Sequence, residues 1–166
     1  MKQGTAATSG MPDRAALLRA LREMYAGPSW VGPTVRRLVR GVPARQASWR
    51  PAPGRNTIWE LTLHLALARH ILVARITGER ALFPRPRRSS WWARTPADGS
   101  ERAWRSDVAL LADCQRRLIA AVERAPASRL TRVRAGGSTI AHELLGVVMH
   151  DAYHAGQISL LSRLAP

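Results

Sequence analysis

The sequence predicts an all-α protein, a four-helix bundle with a long irregular loop between its second and third long helices. Three observations predict it. Four segments of roughly 15 to 25 residues carry apolar side chains at helical spacing. Start and stop signals sit at the ends of those segments. No run of alternating Val, Ile and Thr reads as a strand.

The first segment is PDRAALLRALREMYAG. Pro12 suits a first helical turn, and Leu17, Leu18, Leu21 and Met24 make one apolar stripe. Gly27 and Pro28 end it. A short helical piece is expected at 34–40, then a loop over 43–56. The second long helix opens at TIWE, where Thr57 and Glu60 have capping-box spacing. It runs to Thr77 and stops at Gly78. Its apolar set is Leu61, Leu65, Ala68, Leu72 and Ile76.

Residues 78–99 form the long loop, an Arg- and Pro-rich stretch in which Trp91 and Trp92 either anchor it to the bundle or roof a pocket. The third long helix starts at Ser100, a good N-cap, and ends before Pro126. The fourth starts near Ser138 or Thr139, after two glycines, and reaches almost to the last residue. Residues 1–10 are small and polar and read as a disordered tail, leaving 11–166 as a single domain.

Composition narrows the function. The chain has 166 residues, 46% of them hydrophobic, enough for a core without staples. Cys114 is the single cysteine, so there is no intrachain disulfide and no CxxC motif, which suits a reducing, cytoplasmic setting. Its apolar surroundings make it a small core residue. The most apolar stretch is broken by His64, Arg69, His70 and Arg75, so no membrane span is expected. The net charge of +15 invites a nucleic-acid reading. Yet Lys2 is the only lysine among 26 basic residues, and the arginines are spread over every segment. The one tight group, Arg85, Arg87 and Arg88, lies in the loop. This looks like a compositional bias of the chain, and nucleic acid is not the expected partner.

The histidines carry the chemistry. In HDAYHAGQ, His150 and His154 are four residues apart, about 40° round a helix, and so can aim at one point. Such a pair suits a transition metal, because neutral imidazole nitrogen binds several divalent ions. His64 lies mid-helix beside an apolar stripe and faces inward, as a core histidine or as a third ligand from a facing helix. His70 is about 240° further round and should lie at the surface. His142, about 80° from the pair, is placed to cap the start of the last helix or to sit at the rim of the site. HDAYH also echoes the zincin HExxH, but Asp151 is a methylene shorter than the glutamate that would activate water. Gln157, on the side of His154, is placed either to orient a ligand or to pack beside Gly156. Tyr153 should pack on a neighbouring helix, and the capping box accounts for Glu60. Arg55, just before the second long helix, is a candidate to hold a substrate carboxylate.

His64 in TIWELTLHLA together with HDAYHAGQI resembles the DinB/YfiT-like superfamily of metal-dependent proteins, and WVGPTVRRLVRGVP adds a looser match. The resemblance implies a four-helix bundle holding one divalent ion, nickel or zinc, on His64, His150 and His154, with Gln157 behind them. It implies a metal-dependent enzyme acting on a small molecule, a thiol S-transferase using a low-molecular-weight thiol in detoxification, or a hydrolase. The alternative is a non-catalytic, metal-binding or stress-associated bundle. It also implies a homodimer. It matches no catalytic residue and nothing in the long loop.

Overall fold

Each long helix begins where the sequence supplies a side-chain oxygen for its free N–H groups. In the computed structural model, which describes residues 13–80, 82–85 and 99–166, seven helices follow in order. They are α1 (Arg14–Ala26), α2 (Val35–Val39), α3 (Ala44–Ser48), α4 (Ile58–Thr77), α5 (Glu101–Arg124), α6 (Ala127–Thr131) and α7 (Ile140–Leu164). Asp13, Thr57, Ser100 and Thr139 accept from the backbone N–H groups of Ala16, Glu60, Ala103 and His142. The capping box of α4 is complete, and Gly78 ends that helix in the left-handed conformation at φ 83°. Among the described residues there is no strand, only an isolated bridge between Val133 and Thr139. No described helix is long and apolar enough to cross a membrane.

The bundle is more finely divided than the sequence reading. Four helices are long, and α2, α3 and α6 have five residues each. Residues 43–56, expected as loop, contain α3, whose Ala44 and Ala47 are buried. α1 starts at Arg14 with Asp13 as its cap, and Pro12, expected in the first turn, lies outside the described residues. So do Arg87, Arg88, Trp91, Trp92 and most of the long loop.

The long helices close a ring. α4 packs on α5 and α7, and α1 packs on α5 and α7. The core inside the ring falls into two clusters. One joins Ile58, Trp59, Leu63 and Leu67 of α4 to Trp104 and Leu111 of α5 and Ile158 of α7. The other joins Leu72, Val73 and Ile76 to Leu17 and Leu21 of α1, Leu118 and Val122 of α5 and Leu144 of α7. Between these stretches, on the same helices, lie buried polar residues: Arg69, Gln115, Asp151 and His154.

Arg69 organises this layer. It donates to both carboxylate oxygens of Asp151, at 3.0 and 2.5 Å, to Gln115 Oε1 at 2.7 Å and to the Leu65 carbonyl at 2.9 Å. Gln115 in turn donates to the Leu21 carbonyl at 3.0 Å. Four donor bonds satisfy a guanidinium that has no access to water, as a buried charge requires.

His70 departs from expectation. It is buried, with Phe83 edge-on to its ring at 5.4 Å. The chain beyond Gly78 folds back over the bundle, where Arg85 also donates to Asp107 at 2.6 Å and Asp107 accepts from Trp59 Nε1 at 2.7 Å. α4 is therefore covered round most of its circumference and has no open face for His70 to point to. Cys114 behaves as expected, buried and free in the first cluster. Burial, helped by Asp113, pushes its thiol up to about 11.

Candidate metal centre

α4 and α7 are neighbours in the ring, and their contact brings three histidines together. His150 and His154 project from α7 one turn apart, and His64 meets them from α4. His64 Nε2 and His150 Nε2 lie 2.9 Å apart, and His154 Nε2 lies 3.1 Å from the same His150 nitrogen. One nitrogen from each ring lies within 4.8 Å of the others. The rings are tilted or edge-on to one another, with centroids 4.3 to 5.0 Å apart, so nitrogens and not ring faces converge.

This donor set fits a divalent ion. Two nitrogens held about 2.0–2.1 Å from one ion stand about 2.9–3.4 Å apart, which is the spacing already present. Neutral imidazole is the form that binds. Burial pushes His150 down to about 4, and the neighbouring His154, His64 and Arg69 push the same way. Burial also lowers His154, although its bond to Gln157 opposes the shift. Both rings are therefore neutral at neutral pH.

Gln157 stands behind His154. Its Oε1 is 2.6 Å from His154 Nδ1, and its Nε2 donates to the Tyr153 hydroxyl at 3.1 Å. His150 Nδ1, by contrast, is buried without a hydrogen-bond partner among the described residues.

Of the expected residues, His64, His150, His154 and Gln157 meet at one place. His142 does not; it is exposed, and the capping side chain is that of Thr139, which accepts from the His142 N–H at 3.1 Å. Tyr153 is not packed on a neighbouring helix. It is 64% exposed, its ring lies 4.9 Å from that of His154, and its hydroxyl joins the Gln157 chain. The reason is rotational: Tyr153 lies about 100° before His154, on the outward side of α7.

The carboxylates near the histidines are already engaged. Asp151 turns into the core to Arg69, and Glu60 accepts from the Thr57 N–H at 2.8 Å and from Arg50 at 2.6 Å. The pairing of Arg69 with Asp151 had no local signal; an arginine amid leucines was the only hint.

A groove of about 460 Å3 has Gln157, the residue behind His154, in its wall, and none of the three histidines lines it. Leu61, Leu160 and Leu164 give it apolar lining, and Arg55 and Asn56 add polar groups to it.

A family model for the DinB superfamily matches residues 30–158. No curated protein matches the chain closely enough to add a named activity. The matched span runs from the loop before α2 into α7 and contains all three histidines and Gln157, so the chain belongs to the DinB superfamily.

Proposed function

We propose that the chain is a divalent-metal-dependent enzyme, and that its reaction is S-transfer from a low-molecular-weight thiol to a small electrophile, a detoxification step. The observation that carries this reading is the convergence of three histidine nitrogens at 2.9 and 3.1 Å with His154 held from behind by Gln157. Nickel and zinc both suit such a donor set, and availability decides between them.

A divalent ion bound there would favour a thiolate over a thiol at neutral pH. The residues of the chain do the rest. His64, His150 and His154 hold the site from two helices that the bundle already fixes. Gln157 keeps His154 in one orientation. The groove takes the body of the thiol along Leu61 and Leu160, and Arg55 meets its carboxylate. In the transfer, the thiol proton leaves to solvent, sulfur bonds to the electrophilic carbon, and the leaving group departs with its electron pair. A reducing cytoplasm would keep such thiols available.

The test is elemental analysis of tag-free protein, followed by thiol consumption with a reactive alkyl or aryl halide. Near-stoichiometric metal and metal-dependent thiol loss are expected in wild type, with both abolished in His64→Ala and His150→Ala. Turnover that survives His150→Ala would overturn the reading.

One observation favours a second reading, a metal-binding bundle without turnover. Asp151 and Glu60 are both committed elsewhere, so neither serves as a proton acceptor at the cluster. In that case a chelator lowers the melting temperature while no thiol is consumed.

A further inference from the structure

In TVRRLVRGVP, two pairs are set one helical turn apart: Val35 with Val39, and Arg36 with Arg40. The valines are buried and the arginines are exposed. α2 packs on α1 and α7, whereas α3 packs on α4 and α5. The turn that joins them passes through Gly41 at φ 79°, a conformation that favours glycine. Between this turn, α1 and α5 lies a cavity of about 700 Å3. That volume is in the range of small-molecule sites.

The lining comes from α1, α2, α5 and the turn between α2 and α3. No residue of α4 or α7 contributes, so none of the three histidines does. The cavity also shares no residue with the groove beside Gln157. It is a second site, separate from the metal centre.

Its chemistry is divided between apolar surface and positive charge. Val39, Val42, Trp104 and Val108 line it, with alanine, proline and glycine beside them. The indole N–H of Trp104 is already engaged, donating to the Val42 carbonyl at 2.6 Å. Arg36, Arg40 and Arg105 also line it, and none of them has an ion pair or a side-chain hydrogen bond among the described residues. By contrast, Arg22, Arg50 and Arg85 each meet a carboxylate. Glu101 is the one acid in the lining. Its Oε1 accepts from the Ala44 N–H at 2.6 Å, at the start of α3, where Pro43 offers no side-chain cap. Three arginines against one glutamate leave two positive charges around an apolar space.

Tyr25 adds the remaining polar group. Burial raises its hydroxyl above the ordinary value, with Arg69 and Arg36 opposing, so it is a neutral donor at neutral pH. It too has no hydrogen-bond partner among the described residues. The free polar groups are thus donors suited to one anion, and the rest of the lining offers no side-chain partner. A sugar or a nucleotide would bury hydroxyls and ring edges against valine and indole and leave them unsatisfied.

We propose that this cavity binds a small organic acid, a carboxylate on an apolar or aromatic body, with the body against Val39, Val42, Trp104 and Val108 and the carboxylate among Arg36, Arg40 and Arg105. The guanidinium fork matches a carboxylate with two parallel bonds. An aromatic body gains offset or edge contact with the Trp104 ring. The site does not depend on the metal reading, so His64→Ala should bind the acid as wild type does.

The experiment uses the full chain and anilinonaphthalene sulfonate, an aromatic anion whose emission rises in apolar surroundings. Wild type should bind it at a single saturable site. Phenylbutyrate should displace it at least ~10-fold more effectively than phenylbutanol or phenylbutylamine, because only the acid meets the arginines. Adenosine monophosphate should not compete. Arg36→Ala combined with Arg40→Ala should weaken phenylbutyrate roughly 10–100-fold. A chain at +15 attracts any anion, so Arg37→Ala is the control: Arg37 is exposed on the same helix, outside the cavity, and its loss should change nothing.

Place is tested by filling the cavity. Ala109 is exposed and lines it, so Ala109→Trp should abolish binding while the melting temperature stays at the wild-type value. Four results overturn the proposal: no binding by wild type, equal displacement by acid and alcohol, equal weakening by Arg37→Ala and the double arginine variant, or a probe that stays bound to Ala109→Trp. If the double variant fails to fold, the acid-to-alcohol ratio and Ala109→Trp decide.

Discussion

Gln157 Oε1 lies 2.6 Å from His154 Nδ1. An amide oxygen only accepts, so Nδ1 carries the proton and Nε2 keeps the lone pair that faces His150 and His64. One hydrogen bond thereby sets which nitrogen of His154 is free for a metal.

Removing that bond should loosen the metal without loosening the fold. Gln157→Ala is expected to weaken metal affinity about 10–100-fold. The far-UV circular dichroism and the metal-free melting temperature should stay at wild-type values. Gln157→Glu retains an acceptor oxygen and should lie closer to wild type. Competition against a chromophoric chelator reads the affinity, and equal values for wild type and Gln157→Ala would count against the role.

Asp151 and Arg69 have side chains 1% and 0% exposed. Burial raises the Asp151 carboxyl, and the bidentate guanidinium opposes that shift. Asp151→Ala strands a buried cation and should cost about 3–5 kcal/mol of stability. The pair itself need not be strongly stabilising, so Asp151→Leu combined with Arg69→Met should recover much of the loss. Urea denaturation of the three proteins checks both statements.

Metal-free protein should become more stable as pH rises from about 4 to the ordinary histidine value near 6.5. The sign follows from His150, which burial and its neighbours hold at about 4 in the folded chain. Within that window the unfolded state binds the proton and the folded state does not, so stability climbs with pH and levels off above it. His154 shifts in the same direction. Melting temperatures measured across the range on wild type and His150→Ala should show a shallower slope in the variant.

Cys114 should resist alkylation. Its thiol is pushed to about 11 by burial, and only the thiolate reacts. Labelling with a chromogenic disulfide reagent should be slow in buffer and stoichiometric in denaturant. Rapid native labelling would show that the α4–α5 contact opens readily.

The sequence exposed what is periodic and local. The caps at Thr57 and Ser100, the stop at Gly78 and the inward stripe that includes His64 all depend on residues within a turn or two. The convergence of His64 with His150 and His154 could be anticipated because two facing helices each offered histidine on an apolar side. What escaped is what depends on the rest of the chain. A helical wheel puts His70 at the surface, but α4 has little surface, since the segment bearing Phe83 covers it. Arg69 finds its acceptor 82 residues away, and no local pattern announces that distance. α3 and α6, at five residues each, are too short for periodicity to register.

The ion pair between α4 and α7 also bears on descent. Replacing either member alone passes through a chain with a lone buried charge, so the two positions are not free to drift separately. Lineages carrying this fold should keep the arginine and the aspartate together or lose them together. A chimera that takes α4 from one relative and α7 from another should fold only when both parents made the same choice.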